Sequence, residues 1–260
     1  MIWDCHCHLS GVGGATAEER TSELLRYADR VGIERLVVSM GVNWSHDPSP
    51  DHVRRQNDDV LRAVEAGKGR VLGFVLLNPK YAQESLAELD RCVHDGPMVG
   101  VKLWVAMKCN DPRIDPIVRR SVELKAPILQ HTYFRLGGNL AGESSPDDLA
   151  ALAARHPDAI FISAHTGNDW ERGTRAVRAV KNVSTDICGC DPTSYMVDMA
   201  VRELGAERVL YGSDAGGRSY ASQLGKVYGA DITDEEKRLI LGLNLRRLLE
   251  PILKSKGMQL

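Results

Sequence analysis

The chain has 260 residues, 43% of them hydrophobic and 26% charged, an ordinary globular balance that excludes a disordered or low-complexity protein. A formal net charge of −2 gives no field for a polyanion, so no nucleic-acid partner is expected. The longest apolar runs, such as residues 71–77, are far too short to cross a bilayer. Met1 leads directly into the strand-like Ile2-Trp3-Asp4, which leaves no room for a signal peptide; a cytoplasmic protein without membrane contact is the expectation.

Taken in order, short apolar runs alternate with longer amphipathic stretches. Strands are predicted over residues 2–5, 35–39, 71–76, 99–104, 127–131, 159–164, 183–186 and 208–212. Helices are predicted between them, for example over 18–31, 50–66, 82–93 and 147–155. In the first of these, Leu24, Leu25, Ala28 and Val31 recur at helical spacing. Thr16 with Glu19, and Thr233 with Glu236, fit capping boxes, and Ser145-Pro146 places a proline at a first helical position. Strands alternating with helices pair in parallel, with both sheet faces covered. Eight such units predict one (β/α)8 TIM barrel spanning residues 1–260 as a single domain; an open doubly wound sheet is the competing fold, but no G-x-G-x-x-G follows any strand.

The six cysteines are Cys5, Cys7, Cys92, Cys109, Cys188 and Cys190. Cys5-x-Cys7 and Cys188-x-Cys190 leave one residue between thiols, where structural zinc sites usually leave two or more. Reduced, interior thiols are the expectation.

Reactive groups of such a barrel gather at the C-terminal ends of its strands. The first strand runs into Asp4-Cys5-His6-Cys7-His8. Residues two apart on a strand face the same way, so His6 and His8 project together and can share one metal ion. Strand five ends in His131, strand six in His165, and strand eight runs into Gly212-Ser213-Asp214. Each alone is ordinary: a strand-end histidine is commonly a hydrogen-bonded structural residue, and an aspartate commonly caps a helix. Their convergence on one mouth points to a metal site, and imidazole with carboxylate suits Zn, Fe or Mn.

With those residues in place the chain resembles the amidohydrolase superfamily, in its amidohydrolase-related branch that includes aminocarboxymuconate semialdehyde decarboxylase. The resemblance rests on Asp4-Cys5-His6-Cys7-His8, Gly100-Val101-Lys102-Leu103, Gln130-His131, Ala164-His165-Thr166-Gly167, Tyr211-Gly212-Ser213-Asp214 and Asn244 ahead of Arg247-Leu248-Leu249. It implies that His6, His8, His131 and Asp214 bind one divalent metal, zinc first with Mn or Fe as alternatives. It also implies that His165 is the catalytic histidine and that the barrel forms a homodimer. In those roles, with the pKa of a metal-bound water lowered toward about 7, Asp214 would carry the proton and His165 would stabilise the developing oxyanion. Binuclear members of the superfamily bridge two metals through a strand-four lysine; here Leu103 to Ala106 are expected to continue the strand past Lys102 and leave it below the mouth, so one metal is expected.

The substrate contacts expected are Trp104, Tyr133 and Arg218, with Trp44, His46, Lys108 and Arg135 nearby; an arginine fork at Arg218 fits a carboxylate. The leading expectation is hydrolysis of a C–O or C–N bond in a small carboxylated molecule. The alternative is nonoxidative decarboxylation of an unsaturated or aromatic acid. A metal-dependent deoxyribonuclease and a non-catalytic ligand-binding barrel rank below both; the first is disfavoured by Lys102 where a glutamate would stand, and by the net charge.

Overall fold

The computed structural model describes residues 1–189 and 193–259. Eight strands, Trp3–Cys7 (β1), Arg35–Ser39 (β2), Val71–Leu77 (β3), Gly100–Leu103 (β4), Ile128–Gln130 (β5), Phe161–Ser163 (β6), Val183–Asp186 (β7) and Val209–Leu210 (β8), form one sheet in chain order. Every pairing is parallel. The last strand returns to the first through backbone bonds: Cys5 N–H donates to Tyr211 O at 3.1 Å, Asp214 N–H to His6 O at 2.7 Å, and His8 N–H to Ala215 O at 2.8 Å. This is a (β/α)8 TIM barrel.

The helices are Ala17–Arg30 (α1), Pro50–Ala66 (α2), Ala82–Leu89 (α3), Asp115–Glu123 (α4), Pro146–Arg155 (α5), Trp170–Val177 (α6), Met196–Leu204 (α7), Tyr220–Tyr228 (α8), Asp234–Arg238 (α9) and Asn244–Ser255 (α10). α1 and α9 begin with the predicted capping boxes, and α5 with the predicted Ser145-Pro146 start. In each the cap oxygen takes a backbone N–H that the first turn leaves unpaired.

The differences from the predicted boundaries have local causes. β1 continues two residues past Cys5, so His6 lies on the strand itself, and its register against β2 slips between Asp4 and Cys7. Strand eight shrinks from 208–212 to Val209–Leu210. There the Ser213 N–H bonds to the Asp4 carboxylate at 3.0 Å, so a β1 side chain satisfies backbone that a ladder would otherwise serve. α3 stops at Leu89 and gives way to a π-helical turn, Asp90–His94. β4 ends at Leu103, so Lys102 is the penultimate residue of the strand and not below the mouth.

A candidate metal centre at the barrel mouth

His6 and His8 are buried, with their Nε2 atoms 3.1 Å apart. The Nδ1 of His8 lies 2.7 Å from the Ser39 carbonyl oxygen, which can only accept, so Nδ1 carries the proton. The Nδ1 of His6 lies 2.9 Å from Asp186 Oδ2. Burial sets Asp186 against ionisation, but the His6 contact prevails and holds its carboxyl well below the usual range, so this oxygen too accepts. Burial, and then the charge of Lys102, lowers His6 to about 4 and keeps it neutral. Both Nε2 atoms therefore present lone pairs to each other with no proton to share. Asp214 Oδ1 adds a third donor, 3.3 Å from His8 Nε2 and 3.9 Å from His6 Nε2. Burial opposes the Asp214 charge, yet the His8 hydrogen bond and the neighbouring histidines hold its carboxyl far below the normal range.

Two facing lone pairs and a carboxylate make a donor set that a cation would satisfy, and the Lys102 Nζ, 2.9 Å from His6 Nε2, meets one of those lone pairs. These donors fit a divalent metal, two imidazoles and one carboxylate being a set that Zn, Mn and Fe all accept.

Lys102 corrects the expectation drawn for it. It is almost fully buried, and its Nζ lies 2.9 Å from His6 Nε2. Burial lowers its pKa, partly offset by the charges of Asp214 and Asp186.

The other two strand-end histidines form a pair beside this trio. His131 Nδ1 lies 3.1 Å from His165 Nε2, and the His165 ring is 5.0 Å from that of His6. The four histidines are thus one continuous cluster, as the strand ends predict. His131 stands outside both compact metal-capable groups found among the described residues, which are His6, His8 and Asp214, and His6, His165, Asp186 and Cys188. Its Nε2 meets Glu143 Oε1 at 2.8 Å. Burial works against Glu143 ionisation, but His131 and Arg135 bring it down to about 2. His165 and Thr166 have φ of +63° and +46°, and Asp214 +57°. Side chains avoid that region except where surroundings impose it, and such residues gather at functional sites.

Around the cluster the aromatic residues make a wall. The Trp44 ring lies 5.1 Å from His8 and 5.4 Å from Trp104, whose other neighbour is His46 at 5.1 Å. Tyr133 lies against His131 at 5.8 Å and His165 at 6.0 Å. Arg218 Nε is 3.6 Å from Asp214 Oδ2, so its fork is already turned to the centre. Lys108 instead reaches Asp148 of α5 at 3.4 Å, and Arg135 grips Glu143.

Sequence reasoning passed over Asp186, Cys188 and Glu143 as parts of the centre. Asp186 closes the predicted seventh strand and carried a readable signal as its polar end. Glu143 lies in a loop twelve residues after His131, with no local pattern to mark it. The described cysteines are free and buried, as expected; Cys190 lies outside the described residues.

The amidohydrolase family, whose model is described simply as amidohydrolase, matches residues 3–250. The chain belongs to that family. No curated protein matches it. Among solved structures, this amidohydrolase is similar to 2,6-dihydroxybenzoate decarboxylase from Rhizobium, with a TM-score of 0.76 and 16% identity over 96% of this chain and 99% of the other. The 5-carboxyvanillate decarboxylase from Sphingomonas paucimobilis gives 0.74 and 15%, over 96% and 98%. A dihydroxybenzoic acid decarboxylase from Polaromonas, solved with manganese and the inhibitor 2-nitroresorcinol, gives 0.73 and 16%, over 98% of each chain. The family assignment makes the chain an enzyme. No helix among the described residues is long and apolar enough to cross a membrane.

Proposed function

We propose that this amidohydrolase is a metal-dependent, nonoxidative decarboxylase of a small aromatic or conjugated unsaturated acid, the reading placed second in the sequence, in preference to hydrolysis of a C–O or C–N bond. The observation that carries it is the aromatic wall: Trp44 beside His8, Trp104 beyond it against Trp44, and Tyr133 against His165 offer flat apolar faces to a planar substrate close to the candidate metal ligands. The similar solved structures named as decarboxylases support the same choice.

His6, His8 and Asp214 hold the metal; His131, expected from the sequence as a fourth ligand, has its two ring nitrogens on His165 and Glu143 and stands beside that group. Zinc is the first candidate, and the manganese of the Polaromonas enzyme makes that ion the second. A divalent ion there supplies Lewis-acid polarisation of a substrate oxygen. Trp44, Trp104 and Tyr133 orient the ring plane, and Arg218 takes a substrate carboxylate in its fork. In the reaction the bond from the ring or vinyl carbon to the carboxyl carbon breaks, carbon dioxide leaves, and the carbon keeps the electron pair and takes a proton. His165, neutral because burial holds its pKa well below the usual value, and Asp214 are the proton carriers.

The experiment is turnover of a panel of hydroxybenzoates and conjugated dicarboxylic acids in heavy water, with carbon dioxide release and deuterium at the vacated carbon as joint readouts. Lactone or amide hydrolysis without any carbon dioxide would return the assignment to a hydrolase. His165→Ala and Asp214→Asn are expected to lower kcat by about 100-fold or more; full turnover in either would remove that residue from its role.

A further inference from the structure

Asp186, at the end of β7, is fully buried and touches two parts of the centre at once. Its Oδ2 accepts from His6 Nδ1 at 2.9 Å. Its Oδ1 accepts the backbone N–H of His165 at 2.8 Å, the backbone N–H of Cys188 at 3.2 Å and the Cys188 thiol at 3.0 Å. Its carbonyl oxygen takes the Thr166 hydroxyl at 2.6 Å. The residues held this way, His165 and Thr166, both have left-handed backbone. Such a conformation persists only where its surroundings impose it.

We propose that Asp186 is the positioning residue of the centre: it fixes His6 as the Nδ1–H tautomer with Nε2 aimed at the metal, and it pins the turn that presents His165. This rests on the metal-centre reading above. A carboxylate behind a ligating imidazole sets the ring's orientation and raises its basicity. The same four groups could instead be taken as ligands of a second ion, since His6, His165, Asp186 and Cys188 lie close together. The hydrogen bonds argue otherwise. Both carboxylate oxygens are already engaged by N–H and S–H donors, and the His6 Nδ1 proton occupies the direction that an ion would need.

The test measures zinc and cobalt(II) affinity, by competition with a chromogenic chelator, for the wild type, Asp186→Asn and Cys188→Ala. Asp186→Asn is expected to bind metal about 10- to 100-fold more weakly, with Cys188→Ala close to wild type and no thiolate-to-cobalt charge-transfer band in any of them. Unchanged affinity in Asp186→Asn overturns the proposal, and so does a charge-transfer band that Cys188→Ala abolishes, which would make the group a second metal site. Should Asp186→Asn not fold, nitrogen NMR of the metal-loaded wild type decides: a protonated His6 Nδ1 supports the proposal, and a bare or metal-bound one overturns it. A wild type that binds no metal sinks the proposed function along with this inference; metal binding that ignores Asp186 sinks this inference alone.

Discussion

A histidine ligates a metal only through a nitrogen with a free lone pair, and here the choice of nitrogen is made from behind the ring. Ser39 O and Asp186 each claim an Nδ1 proton, from His8 and His6 respectively, and both Nε2 atoms face inward as a result. The space behind His165 is equally tight. Gly189 has φ +80°, and a Cβ there would lie 2.3 Å from His165 Nδ1. Gly189→Ala is therefore expected to displace the ring and lower kcat by about 100-fold with the far-ultraviolet circular dichroism unchanged; normal turnover would show that the ring has room to move. Burial also pushes the Cys92 and Cys109 thiols up to about 12. At pH 8 almost none of either is thiolate, so iodoacetamide should leave both unmodified in the native protein and label both in denaturant, as read by peptide mass spectrometry. Prompt native labelling would place these side chains nearer solvent than they are described. That His6, His8, His131, His165 and Asp214 converge on one mouth was legible because H-x-H and polar strand ends are local patterns. Glu143 was not, because it acts on His131 across a loop whose path only packing decides.

Between elements, several joints are made by one polar side chain on main-chain carbonyls. Arg208 sends Nε to Val183 O at 2.8 Å and Nη2 to Val177 O at 2.7 Å and Val180 O at 2.8 Å, tying the end of α6 to the start of β7. Arg208→Ala removes these bonds, although Val177 O and Val180 O each keep a backbone N–H at 3.3 Å, and is expected to cost about 2 kcal/mol in urea unfolding. Arg208→Lys should recover little, because an ammonium lacks the planar fork; a wild-type midpoint in either variant would mean that water replaces the guanidinium. Asn244 in α10 works likewise, with Nδ2 on Ala206 O at 2.7 Å and Val209 O at 2.9 Å, while Arg247 reaches Glu207 O. The sequence pattern of Asn244 and Arg247 is thus a clamp on the entry to β8. Helix starts were readable from capping residues that act within one turn. The ends of β1 and β8 were not, because each is set by the other: Asp4 serves Ser213, and His6 O serves Asp214, across the full length of the chain.

For the whole molecule, the metal and the fold are linked. An ion that binds the native state alone stabilises it by about 2.7 kcal/mol at a hundred times its dissociation constant. For a chain of this size that is a rise in Tm of roughly 5–10 °C. Chelator should reverse the rise, and His6→Ala/His8→Ala should show none; a midpoint indifferent to metal in the wild type would contradict the centre described above. The order of eight strands was legible because each strand–helix unit announces itself locally, and right-handed parallel winding leaves few other ways to join them.

The seam at which the ring closes runs between His6 and Asp214 and passes through the candidate metal ligands themselves. During synthesis the first two histidines emerge long before the aspartate that completes their set. A chain stalled or clipped ahead of Asp214 presents an H-x-H pair with no carboxylate and an open β1 edge. The proposed ion set is therefore complete only when the two ends of the barrel have met.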